Sequence, residues 1–235
     1  MSEPVVSLAG VQKNYSGLRP LRIQRLEVAA GERVALGGLD GPAAEVLVDL
    51  ITGATLPESG TVSVFGHSTA DIADGDAWLA SLERFGIVSS RAVILEHSTL
   101  QQNLALPFTL ELEPVPPSIA AQVAALAAEC GISREDLPRR AGELAPQVLI
   151  RAHLARALAL KPELLLIEHP TAGVAEQDRP GLARDLAVAI DGRGAAAVIV
   201  TLDVELAEAV AHRLLALQPA TGALLPWKRK RRWFG

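Results

Sequence analysis

Three places in this chain carry side chains whose types and spacing could do chemistry. The first is GGLDGPAAEV, residues 37–46, where a strand ending in glycines runs into a helix and two carboxylates, Asp40 and Glu45, stand near the helix start. An acid in a first helical turn is favoured by the helix dipole, so Glu45 alone reads as an ordinary solvated residue. The second is the pair Glu168 and His169, at the end of the apolar run LLLI and stopped by Pro170. The carboxylate could face a metal ion and a neutral imidazole could accept a proton, although a lone His at a strand end is more often a satisfied edge residue. The third is the segment Trp227, Lys228, Arg229, Lys230, Arg231, Arg232, Trp233 and Phe234, five cations between aromatics. That composition suits an anionic membrane surface, at about 1 kcal/mol per cation.

The elements that must position these groups follow from pattern. VVSLAGV, LRIQRLEV and RVALGG are short apolar runs separated by turns and read as strands. AAEVLVDLITG has helical spacing with Gly53 as its stop, and the ESG turn leads into the alternating strand TVSVFG. From about residue 91 to 160 the chain reads as helical with Pro-marked breaks, and SIAAQVAALAAEC is its strongest helix. ELLLIEHP and AAAVIVTLD are continuous apolar runs, the pattern of strands buried on both faces, with the amphipathic DRPGLARDLAVAIDG between them. Buried strands alternating with helices predict an α/β fold with a mainly parallel sheet.

Composition agrees. The 235 residues are 49% apolar with net charge −5, which excludes disorder, and a chain this long buries about 70% of its unfolded surface without staples. Its one cysteine, Cys130, makes neither an internal bridge nor a multi-cysteine zinc site and reads as a small core residue in a reducing compartment. No apolar stretch reaches the roughly 18 residues of a membrane span, and MSEPVVSLAG has no leader-like basic and apolar regions. The expected location is the cytoplasm.

The order of these features, and above all LARALALKPELLLIEHPTAG over residues 154–173, resembles the nucleotide-binding subunit of ABC transporters across residues 4 to about 218. The resemblance implies a P-loop NTPase-like ABC cassette at 1–225: a mainly parallel central sheet, an N-terminal antiparallel β part, and a helical subdomain inserted at about 91–160. A basic aromatic tail would follow at 226–235. The LQQNLALPF wording is similar to cassettes of phospholipid-transport and lipoprotein-release systems.

At each chemical position of the family this chain differs. The phosphate loop G-x-x-G-x-G-K-[ST] uses backbone N–H groups, a Lys and a Mg²⁺-binding hydroxyl. Gly38, Asp40 and Gly41 keep its frame, but Pro42 removes a donor, Ala43 replaces a glycine, Ala44 stands at the Lys, Glu45 at the hydroxyl and Val46 follows. A carboxylate about 4 Å from a phosphate charge costs about 4 kcal/mol at an effective dielectric of about 20, so the loop should repel a triphosphate. With phosphate absent, an acidic side chain could take the anion's place on the helix dipole. Ser90 stands at the family's Gln, Glu168 and His169 at its Asp and Glu, and Leu202 at the switch His. Leu144, Ala145, Pro146, Gln147 and Val148 replace the LSGGQ signature loop, and Val174-Ala175 the Leu-Asp beyond it. Tyr15 survives at the aromatic that stacks on adenine, worth about 1 to 3 kcal/mol by analogy with base stacking, too little to hold ATP alone.

The losses fall on chemistry and spare the scaffold, so the sequence predicts a pseudo-ATPase with no catalytic residue, metal or cofactor, kept for docking on a membrane permease through RAVILEHSTLQQNLALPF. A second cassette, self or an intact paralogue, is the other implied partner, and an anionic membrane surface the third, at the inner face of the plasma membrane. Without the five cations of KRKRR the remaining charge is −10, which disfavours nucleic acid. The alternatives are a working ATPase, with ATP and Mg²⁺, that uses Glu168 and His169 in unusual roles, and a soluble regulatory scaffold derived from the fold.

Overall fold

The computed structural model describes residues 3–227. Strands β1 (Val6–Lys13) and β2 (Leu21–Val28) form an antiparallel pair. They are followed by β3 (Arg33–Gly37), helix α1 (Gly41–Thr52), β4 (Ser59–Val64) and the two-residue β5 (His67–Ser68). Next come α2 (Gly75–Leu82), β6 (Phe85–Val88), α3 (Leu100–Ala105), α4 (Pro117–Glu129) and α5 (Pro146–Leu158). The chain closes with β7 (Leu164–Glu168), α6 (Arg179–Arg193), β8 (Ala196–Val200), α7 (Val204–Val210), β9 (Arg213–Gln218) and β10 (Ala223–Pro226). Two sheets result: an antiparallel one in the order β2-β1-β4-β5, and a six-stranded one in the order β10-β9-β3-β8-β7-β6, parallel except for β10.

Both faces of the larger sheet are covered, which is why β7 and β8 read as unbroken apolar runs. Leu164 and Leu166 of β7 and Val198 and Val200 of β8 join α1 and the antiparallel sheet in one core. Their neighbours Leu165, Ile167, Ala197 and Ile199 face the opposite way, into a core shared with α4, α5, α6 and α7. Two ion pairs tie the helices of that layer together: Arg193 of α6 to Glu129 of α4, at 2.6 Å through both nitrogens, and Arg151 of α5 to Asp185 of α6, at 2.5 and 2.8 Å.

Helix α1 ends as the sequence predicts, with Gly53 in the left-handed conformation at φ 73°. The segment 91–160 is helical in three pieces, but α5 packs on β6 and belongs to the main core as much as to an insert. Helices α2 and α7 and strands β9 and β10 carry no clear sequence pattern. They are short, and α2 buries no residue fully, being held by Asp74 capping Ala77 N and by Trp78 Nε1 donating to Thr52 O at 2.9 Å. Strand β10 runs through Pro226, so the sheet extends into what sequence assigns to the tail.

Candidate functional site

The glycine loop leaves β3 at the sheet's C-terminal edge and enters α1. Gly38 has φ +84°, and a Cβ there would lie 2.9 Å from Leu217 O, so only glycine fits. Asp40 is the N-cap: its carboxylate accepts from Ala43 N at 2.9 Å, and its carbonyl accepts from Ala44 N at 2.9 Å. Gly41 and Pro42 form the first turn. An acidic side chain thus does sit on the helix terminus, but it is Asp40 and not Glu45. Glu45 lies in the second turn, half exposed, and points elsewhere. Ala44, at the lysine position, is fully buried and offers no charge, and Val46 is half-buried against the core.

Glu45 reaches Arg91. Guanidinium Nη1 donates to Glu45 Oε1 at 2.7 Å, and Nη2 donates to Glu168 Oε1, also at 2.7 Å. Glu168 ends β7 with only 7% exposure, so its charge needs a partner. Its other oxygen accepts from Ser89 Oγ at 3.4 Å, and Ser89 Oγ in turn accepts from Arg91 N at 3.2 Å. Burial alone would lower the Arg91 pKa, but the hydrogen bond to Glu168 and the charges of Glu168, Glu45 and Asp49 outweigh it and hold the guanidinium above its ordinary value. Asp49, on the same helix, is raised by burial, opposed by Arg91 and reinforced by Glu45.

Arg91 is the residue sequence reasoning missed. Nothing local marks it, since its partners lie 46 and 77 positions away. Ser90, the position singled out instead, is exposed. The neighbours on either side, Ser89 and Arg91, make the contacts.

His169 departs from the satisfied edge residue the sequence suggests. Its backbone takes φ +42° while its N–H donates to Val200 O at 2.7 Å, and ring Nε2 is buried with no hydrogen-bond partner. Tyr15 lies over Gly17, where a Cβ would fall 2.5 Å from the ring. With Arg19, Arg22, Gly38, Asp40 and Leu217 it lines an open pocket of about 370 Å³, and burial, then the Asp40 charge, raise its phenol pKa. At the signature position Leu144 is buried, Ala145 caps α5 without a side-chain bond, Pro146 opens the helix, and Gln147 and Val148 are half-buried. Leu202 is 66% exposed, beside Asp203, which caps α7 by accepting from Glu205 N and Leu206 N. Trp227 is tied to the body: its backbone N–H donates to Leu214 O at 2.9 Å and its ring covers Gly37. Lys228, Arg229, Lys230, Arg231, Arg232, Trp233 and Phe234 lie outside the described residues.

The ABC transporter family model matches residues 21–172, the greater part of the chain, including the glycine loop, Arg91 and the end of β7. The chain belongs to the ABC transporter family. As an ABC cassette it has the fold of the ATP-binding cassette MJ0796 in its dimeric post-hydrolysis state bound to ADP and Pi, with TM-score 0.74 at 21% identity over 97% of this chain and 100% of that one. It is 32% identical to the phosphonates import ATP-binding protein PhnC of Anaeromyxobacter dehalogenans, over 92% of this cassette and 44% of that protein. It is 24% identical to the macrolide export ATP-binding/permease protein MacB of Haemophilus ducreyi, over 93% of this cassette and 31% of that protein. The cassette spans about half the length of the curated relatives it matches.

A guanidinium thus lies between Glu45 and Glu168, with the uncharged Ala44 buried in α1, Pro42 in the first turn and Asp40 on the helix terminus. Among the described residues no group of three or more His, Cys, Asp or Glu could hold a metal ion, and no helix is long and apolar enough to cross a membrane.

Proposed function

We propose that this cassette is a pseudo-ATPase: the ATP-binding-cassette subunit of a transporter, with hydrolysis lost and the fold retained for docking on a membrane permease. The observation that carries this reading is Arg91, held 2.7 Å from both Glu45 and Glu168. A triphosphate with its Mg²⁺ would have to displace an internal cation from two carboxylates, one of them almost fully buried, and would meet Asp40 on the helix terminus that normally receives phosphate. His169 supplies no carboxylate at the position that polarises water, and the start of α5 offers no glycine or hydroxyl to a facing nucleotide.

The partners in this reading are a permease, which docks against the segment following Arg91, and a second cassette, either self or an intact paralogue. The place of action is the cytoplasmic face of the membrane, with the KRKRR segment against anionic lipid. PhnC and MacB are named for import and export of unrelated cargo, so their names choose no substrate for this chain.

Isothermal titration with Mg-ATP tests the reading. The expected result is no binding tighter than millimolar, and a micromolar constant would sink it in favour of a working ATPase. Co-sedimentation with permease-containing membranes separates docking from the scaffold alternative, which predicts that the full chain stays in the supernatant.

A further inference from the structure

The segment from Arg91 to Ser98 connects β6 to α3 without regular structure, yet it is fastened along its whole length. Arg91 is held by Glu45 and Glu168. Val93 O accepts from Arg156 Nη1 at 2.5 Å. Leu95 is gripped at both backbone groups by Asn103, whose Oδ1 accepts from Leu95 N at 2.8 Å and whose Nδ2 donates to Leu95 O at 3.0 Å. Asn103 is completely buried, so its amide serves this loop. Glu96 O accepts from Gly142 N and Ser98 O from Ala141 N, at 3.1 and 3.0 Å. Against this fastening, Val93 and Leu95 stand 71% and 39% exposed, two apolar side chains held out into solvent.

Of these fasteners only Arg91 reaches across to α1, which the glycine loop enters, and to the end of β7. We propose that Arg91 is a positioning residue and the bridge a latch: it fixes the segment 91–98 in one conformation and so holds the Val93 and Leu95 ridge preformed, with no nucleotide required. The ordering of this connection is supplied from within the chain, by an internal ion pair. The inference rests on the proposed function only for the identity of what docks on the ridge, since the latch itself is a property of the isolated chain.

Hydrogen exchange on the full chain, without nucleotide, tests it. Four amides of the segment are protected by hydrogen bonds: Arg91 N and Ala92 N to Ser89, Leu95 N to Asn103, and Ser98 N to Leu95 O. In Arg91→Gln these amides should exchange about tenfold faster or more, the effect of losing charge-assisted bonds that hold a local closed state, over and above the uniform acceleration that lower global stability gives the slowest amides of β7, β8 and α1. Arg91→Lys, which can satisfy one carboxylate but not fork between two, should fall between. Unchanged exchange in a folded Arg91→Gln protein overturns the latch. Where Arg91→Gln fails to fold, Glu45→Gln removes only the half-exposed partner, and it must still accelerate the same four amides selectively; uniform or absent acceleration overturns the proposal. Mg-ATP binding by the wild type would sink the pseudo-ATPase reading and leave this result standing.

Discussion

Arg91 Nη2 lies 2.7 Å from Glu168 Oε1, joining the residues just past β6 to the end of β7 through a carboxylate that is only 7% exposed. A buried charge with one strong partner makes that partner indispensable, whereas removing both together leaves a smaller deficit. Arg91→Met should therefore destabilise the chain by about 2 to 4 kcal/mol, somewhat under the ~3 to 5 kcal/mol of a fully buried pair because the guanidinium is half exposed. Arg91→Met with Glu168→Gln should recover a large part of that loss. Urea midpoints for the two singles and the double read the coupling directly, and additive losses would show that the pair does not interact as described.

Asp40 carries the start of α1 alone, with a proline in the first turn and no other side-chain cap. Asp40→Ala should cost about 1 kcal/mol, lowering Tm by roughly 2 to 4 °C in a chain of this size. Asp40→Asn, which retains the accepting oxygen, should stay within a few tenths of a kcal/mol of wild type. Thermal unfolding of the two variants side by side separates loss of the cap from loss of the charge.

His153 lies inside α5 at 6% exposure, and burial, then the Arg156 charge, push its imidazole down to about 4. The folded chain keeps this ring neutral, whereas the unfolded chain protonates it below about 6.5. The neutral ring therefore imposes no penalty above about pH 6.5, and stability is lost as the pH drops toward 4, the loss reaching about 3 kcal/mol at the acid end. His153→Leu should flatten the stability curve between about pH 6.5 and 4, as measured by urea unfolding across that window. An unchanged acid limb would assign the loss to other groups.

Cys130 at the end of α4 is buried, and burial, then the Glu129 charge, raise its thiol to about 12. The thiolate is the reactive form, so Ellman's reagent at about pH 8 should find essentially no thiol in the folded chain and one per chain in guanidinium. Rapid labelling of the folded protein would mean that the core around α4 opens far more often than its packing implies.

Much of this is legible in the sequence. Strands β7 and β8 announce themselves because a strand covered on both sides has no polar face to show, and α1 because Gly53 ends it in a conformation few other residues adopt. The residue types at Ala44, Glu45, His169 and Leu202, on which the proposed loss of chemistry rests, are visible once the resemblance fixes the frame. Helices α2 and α7 are not legible, since α2 fully buries no residue and the seven residues of α7 span only about two turns, too few for a period to read. Strands β9 and β10 hide because their side chains are mostly only half-buried.

By itself, then, the sequence determined the fold class and which residue types stand at the positions the resemblance marks, because periodicity and residue identity are local properties of the chain. Only the tertiary structure decided how those residues are paired. Which arginine neutralises Glu45 and Glu168, and that Trp227 packs over Gly37, depend on distances between residues tens to nearly two hundred positions apart. Charges are satisfied by whatever folding brings within about 3 Å, and no spacing along the chain encodes that.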